Sequence, residues 1–258
     1  MAKLADFRYY LYISTAKVEM LYDQLIETPR RAKASLTVAG VGGSLDTTSE
    51  AKISQNQKIL AIEKELEERR LIGSVEDPKD YFKGLMSMRW GLFDDGGQRP
   101  KDEPPLVYFS GFDSSAPLVV GLGGSSRHVV GYQGATSAEP RSYGPVIVRW
   151  LLAGLEDRQP EARWWDNHTA EEYAVFGGMA SALHSLRPPT QEIEFVAKTL
   201  LTGTIRGHEH FLGVPEAKAI LGTPLYAVAA YARPDADHWG LDPAWSAKAQ
   251  PERTNQAD

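Results

Sequence analysis

The chain has 258 residues, 42% of them hydrophobic, a formal charge of −6 and no cysteine. Its length supports a substantial core as one large domain or two small ones, and its acidic balance argues against general nucleic-acid binding, which needs a basic surface to displace counterions from phosphate. The lack of cysteine excludes disulfides, thiol catalysis and Cys-ligated zinc. No stretch approaches the ~18 consecutive apolar residues of a membrane helix, and the opening MAKLADFRYYLY lacks an uninterrupted apolar run, so the expectation is a cytoplasmic protein not bound to membrane.

Phe7 to Ile13 is apolar or aromatic on both alternating faces apart from Arg8, which predicts a strand in the middle of a covered sheet. Ser14 or Thr15 is a plausible N-cap, and Val18, Leu21, Tyr22 and Leu25 recur at helical spacing until Pro29. A second strand is expected at Ala34 to Ala39, running into Gly40, Gly42 and Gly43, so the chain opens as a β-α-β unit. From about Ser49 to Arg70 the pattern is helical, with Ile59, Ile62 and Leu66 on one stripe and the pairs Glu65/Arg69 and Lys64/Glu68 on the solvated side.

Tyr81 to Phe93 alternates as a strand, with Met86, Met88, Trp90 and Leu92 on one side and Lys83, Ser87 and Arg89 on the other. A polar connection, Asp94 to Pro105, leads to short strands at Leu106 to Phe109 and Leu118 to Leu122. Arg127 to Val130 is expected to pair back across a turn at Gly123 to Ser126, completing an antiparallel meander. Past the loop Gln133 to Tyr143 the pattern turns helical: Pro145 at a first helical position with Ile147, Trp150, Leu151 and Leu155, then Thr169 and Glu172 as a capping box ahead of Tyr173, Phe176, Ala180 and Leu183. A third helix is expected from about Thr190 to Leu201, then a loop from Thr204 to Pro215 and a closing strand at Leu225 to Ala232. With no internal repeat and no clean linker, residues 1–232 read as a single α+β domain. Its mixed β-sheet has an N-terminal β-α-β unit, a central antiparallel meander and C-terminal helices packed on the sheet; residues 233–258 read as a loosely ordered tail.

The stretch from Leu106 to Tyr132 holds the densest strand-forming runs, a glycine cluster and a basic pair, and is the first place to look for a site. A glycine turn at Gly123, Gly124 and Ser125 would let a phosphate or carboxylate approach backbone N–H groups, with Arg127 and His128 as further donors; the plain alternative is a hairpin turn. The pattern matches neither the phosphate loop GxxxxGK[ST] nor the dinucleotide fingerprint. Lys17, at the start of the first helix, and Arg89, embedded between Met88 and Trp90, are the other cations whose convergence with Arg127 and His128 would define a site. Gly40 to Ser44 is a second anion-site candidate whose plainer reading is a flexible loop, and Trp164, Trp165, Tyr9, Tyr10 and Tyr12 are candidate stacking aromatics whose plainer role is core and edge packing. His208-Glu209-His210 offers two metal ligands but no third, and no metal is assigned. No GxSxG elbow is present, and the cofactor and any catalytic residue stay unassigned.

Four ordered blocks, YYLYISTAKVEMLY (9–22), YFKGLMSMRWG (81–91), GLGGSSRHVVG (121–131) and LGTPLYAVA (221–229), resemble an uncharacterised family found mainly in actinobacteria, a domain of unknown function. That family is similar to modules associated with bacterial conflict systems built around caspase-like proteases and NTPases, which implies a part in sensing a ligand or relaying a signal. The expectation is a non-enzymatic sensing or adaptor domain for a small anionic ligand, nucleotides included, or for a protein partner. The alternatives are a small-molecule enzyme using His128 with Arg89 or Arg127, and a structural subunit that forms homo-oligomers.

Overall fold

The computed structural model describes residues 8–27, 53–93, 105–134, 144–153 and 170–230. Seven strands are described: β1 (Tyr9–Ile13), β2 (Ile72–Ser74), β3 (Tyr81–Phe93), β4 (Leu106–Asp113), β5 (Leu118–Ser125), β6 (Gln191–Arg206) and β7 (Glu216–Ala229). The helices are α1 (Thr15–Tyr22), which continues into a π-helical turn at Asp23–Glu27, α2 (Gln55–Glu68), α3 (Gly144–Ala153), α4 (Ala170–Ser185) and the single turn α5 (Glu209–Leu212).

Five strands close on themselves. β3 pairs with β4, β4 with β5, β5 with β7, β7 with β6, and β6 returns to β3; only the β5–β7 seam is parallel. Closure removes free edges from these five strands. The ring works because its long strands change partner along their length: β3 uses Tyr81 to Met88 against β6 and Met88 to Phe93 against β4. The mixed α+β class is as expected, with the sheet rolled into a barrel.

Alternation along each strand sends one set of side chains into the barrel and the other outward. Phe82, Met88, Val107, Phe109, Val120, Leu122 and Phe195 fill the interior and are fully buried. On one outer face α3 and α4 cover Leu106, Tyr108, Val119 and Leu221. On another, α1 and α2 cover Val196, Leu225 and Val228 through Val18, Ile59, Ile62 and Leu66. The stripe expected on α2 is therefore its buried face. Its N-terminus is a capping box in which Ser54 Oγ accepts from the Gln57 N–H, and the Glu65/Arg69 and Lys64/Glu68 ion pairs form on the outer side.

Several expectations need correction. The segment predicted as a third helix, Thr190 to Leu201, is the first two thirds of strand β6. Irregularities in its pairing with β7, between Val196 and Ala197 and between Thr199 and Leu201, break strict alternation and leave Ile193, Val196 and Leu200 at spacings that imitate a helix. The meander of β3, β4 and β5 exists, but no strand forms at Arg127 to Val130: Ser126–His128 is a 3₁₀ turn, and Val129 makes one isolated bridge to Tyr12. The predicted turn glycines lie inside β5, which runs unbroken to Ser125.

β1 is not central either: it pairs along one side with the end of β7, beyond the point where β5 has left it. Of the residues that alternation puts on one side of β3, Met88 is buried and Leu92 is exposed. The closing strand starts at Glu216, well before Leu225, and the first residues of the predicted loop, Thr204 to Arg206, extend β6. The strand expected at 34–39, the glycines at 40–43, Trp164, Trp165 and the tail from 233 lie outside the described residues.

Candidate functional site

The glycines of β5 are there for packing. A Cβ on Gly123 would stand 2.5 Å from Ile147 Cγ1 of α3, and one on Gly124 would stand 2.3 Å from the hydroxyl of Tyr12. Gly123 lets the helix sit directly on the sheet, and Gly124 makes room inside for a tyrosine ring. Neither lines the cleft formed by the other candidates. Arg89 also falls away from the other candidates: its Nη1 donates to the backbone oxygen of Leu186 at 3.3 Å, just past the end of α4.

The other candidates converge. Lys17, Ser125, Arg127 and His128 line one open cleft of about 610 Å³ between α1, the 3₁₀ turn after β5 and the β3–β6–β7 wall. The wall has a simple origin. Tyr81 of β3 is opposite Lys198 of β6, and Lys198 is opposite Thr223 of β7, so a single cross-strand row contributes an aromatic ring, an amine and a hydroxyl to the cleft. Met20, Leu21, Leu200 and Leu225 add apolar surface.

Two features make the cleft electropositive, and a third fixes one of its cations in place. Lys17, Lys198 and Arg127 line it, and no Asp or Glu does among the described residues. Ser14, Thr15, Ala16 and Lys17 bring the first turn of α1 to its edge, and Gly144 brings that of α3. Neither first turn carries an acidic residue and the Ser14 side chain caps no N–H, so within those two turns no side-chain charge offsets the positive ends of the helix dipoles. Third, Ser125 Oγ accepts from both the backbone N–H and Nε of Arg127, at 3.4 and 3.3 Å, fixing the base of the arginine at the rim.

Lys17 is the most unusual group. Its Nζ donates to Thr223 Oγ1 and, at 3.2 Å, to the backbone oxygen of Pro224, both uncharged acceptors. Burial, reinforced by the charge of Lys198, brings its pKa down to about 8. His128 stacks edge-on against Tyr12, ring centroids 5.8 Å apart, and burial, with Arg127 and Lys17 nearby, lowers its pKa to about 4.

A measurable consequence follows for His128. The unfolded imidazole takes up a proton near pH 6.5 while the folded one stays neutral until about 4, so the unfolded state binds more protons across that window and stability falls as pH drops through it. His128→Gln should flatten the acid limb of a plot of Tm against pH by up to one proton between pH 6.5 and 4. An unchanged slope would mean that the imidazole titrates normally in the fold.

Sequence reading found Lys17, Ser125, Arg127 and His128 but missed Lys198, Thr223 and Tyr81. Lys198 sat in the segment taken for a helix, and Thr223 and Tyr81 carry no local signal beyond their places in the LGTPLY and YFKG blocks. At the other end of the molecule, His208 and His210 lie side by side with ring centroids 6.1 Å apart. Among the described residues no group of three or more His, Asp or Glu is placed to hold a metal, and no helix is long and apolar enough to cross a membrane.

Residues 8–231 match a family model across both helical layers, the whole barrel and the cleft. The chain belongs to the family of unknown function DUF7019. The match takes in every lining residue of the cleft, so the basic site is part of the DUF7019 unit. No curated protein and no solved structure matches the chain.

Proposed function

We propose that this DUF7019 chain is a cytoplasmic, non-enzymatic sensing or adaptor domain that binds a small anionic ligand in the cleft between α1 and the β3–β6–β7 wall. The observation that carries this is the gathering of Lys17, Lys198, Arg127 and two helix N-termini around one cavity on a chain of formal charge −6, with no carboxylate among the described lining residues. Such a site favours anions against the field of the whole protein. Its apolar side and the ring of Tyr81 suit a ligand with a hydrophobic or planar body beside its anionic group, as a nucleotide has. A place in a bacterial conflict system rests on the resemblance of the four sequence blocks to that class of modules.

The test is a thermal-shift screen of the purified chain against nucleotides, cyclic oligonucleotides and anionic metabolites, repeated with Arg127→Glu and Lys198→Glu. A ligand at a hundred times its dissociation constant adds about 2.7 kcal/mol, or roughly 5–10 °C for a chain of this size. The expected result is at least one anion that shifts the wild type and shifts neither variant. A panel with no hit, or a hit indifferent to both charge reversals, would reject the cleft as an anion site and favour a protein partner instead.

A second reading, a small-molecule enzyme, rests on one observation: the His128 imidazole lines a ligand-sized cleft and is unprotonated at physiological pH, open to a proton but, with its pKa lowered to about 4, a weak base. Arg89 has no part in it. Turnover of a bound ligand that disappears in His128→Gln while binding persists would establish this reading over the first.

A further inference from the structure

Building on the anion-binding reading, we propose that the Lys17 amine captures an anionic carbonyl compound, an aldehyde or a keto acid, as a reversible imine, with Arg127 and Lys198 holding the anionic group.

The geometry around Nζ motivates this. A lysine kept for charge alone normally faces a carboxylate, whereas Lys17 faces a hydroxyl and a backbone carbonyl, and no acid lines the cleft among the described residues. A neutral amine has two N–H groups and one lone pair. Thr223 Oγ1 and the Pro224 oxygen take the two hydrogens, leaving the lone pair for the cavity that the side chain lines. Desolvation beside a second ammonium is also the combination that turns lysine into a nucleophile near neutral pH; with a pKa of about 8, roughly a tenth of the amine is unprotonated at pH 7.

The chemistry balances without a further reactant. The lone pair forms the C–N bond as the carbonyl π electrons move to oxygen, and that oxygen takes the proton the nitrogen releases, giving a carbinolamine. The C–O bond then breaks, the hydroxyl leaves as water with one proton from solvent, and the nitrogen lone pair closes the C=N bond as a protonated imine. Thr223, hydrogen-bonded to Nζ, is placed to pass a proton between nitrogen and oxygen. No oxidant or reductant is consumed.

The test uses the full chain with two probes, pyridoxal 5′-phosphate as an anionic aldehyde and propanal as an uncharged one, each followed by borohydride reduction and peptide mass spectrometry. Lys17 should take up pyridoxal phosphate roughly tenfold or more faster than any other lysine. Lys17→Arg, checked for native circular dichroism, should remove that label. Arg127→Glu should slow labelling by pyridoxal phosphate but leave propanal labelling unchanged. Label spread over surface lysines with Lys17 unreacted overturns the imine. Should pyridoxal phosphate raise Tm through Arg127 yet leave no reduced adduct on Lys17, anion binding stands and covalent capture falls. If both aldehydes label Lys17 selectively and Arg127→Glu changes neither, covalent capture stands and the anion site is wrong.

Discussion

Gly123→Val is expected to destabilise the fold by about 3 kcal/mol and to lower Tm by roughly 6–12 °C, the upper end of what overpacking a tight core costs. The first added carbon alone would lie 2.5 Å from Ile147 Cγ1, and Ile147 is itself fully buried between β5 and α4, so the clash is relieved only by moving α3 off the sheet. A compensating change discriminates this cause from others. Ile147→Ala opens space opposite, and in the double variant the new valine fills part of it, so the combined loss should be smaller than the sum of the single losses by at least about 1 kcal/mol. Chemical denaturation of the four proteins of the cycle measures this directly. A glycine required only to admit a ligand would show no coupling to Ile147 and would leave the unliganded protein as stable as before.

The second large effect has the opposite sign. Lys17→Met should stabilise the unliganded protein at pH 7, by on the order of 2 kcal/mol after discounting the partial solvent access of the amine, because folding depresses the lysine pKa from 10.5 to about 8. In the unfolded chain the amine holds its proton up to about 10.5, whereas in the folded chain it releases it near 8. The destabilisation is therefore complete below pH 8 and relieved as pH rises from 8 towards 10.5. Wild-type stability should gain across that window relative to Lys17→Met, which lacks the group. The variant should also lose every ligand response of the cleft. A gain in stability coupled to a loss of binding is the expected mark of a residue retained for function. If Lys17→Met is instead less stable by 1 kcal/mol or more at pH 7, the bonds to Thr223 and Pro224 outweigh the burial of the amine, and Lys17 is a structural lysine.

Much of the architecture was legible because burial on one side leaves a period. The stripe of Ile59, Ile62 and Leu66 marked the inner face of α2, and alternation from Tyr81 onward gave the full extent of β3. Legibility failed where a strand is buried on both sides or carries irregularities. β5 shows no alternation, since Val119 and Gly121 meet helices while Val120 and Leu122 meet the barrel interior, and its glycines then resemble a turn. β6 lost its period to two bulges. The site was half legible for a related reason. Arg127 and His128 stand out as a basic pair after an apolar run, and Lys17 as a cation at a helix start, but Lys198 and Thr223 become neighbours only through strand pairing that no local window contains.

The way the ring closes also bears on how the chain is made. β3 and β5 are the strands whose open sides await β6 and β7, and β1 pairs with residues 226–229, more than two hundred positions downstream. At translation rates of about 5–20 residues per second, the nascent chain carries β3 and β5 for roughly 5–20 seconds, and β1 for roughly 10–40 seconds, before their partners are made. During that interval the unpaired sides of β3 and of the apolar run VVGLGG in β5 are open to association with other chains. Slow folding is thus the expected consequence of placing the closing seam of the barrel in β7, the last of the described strands, and refolding kinetics of the purified chain would measure it.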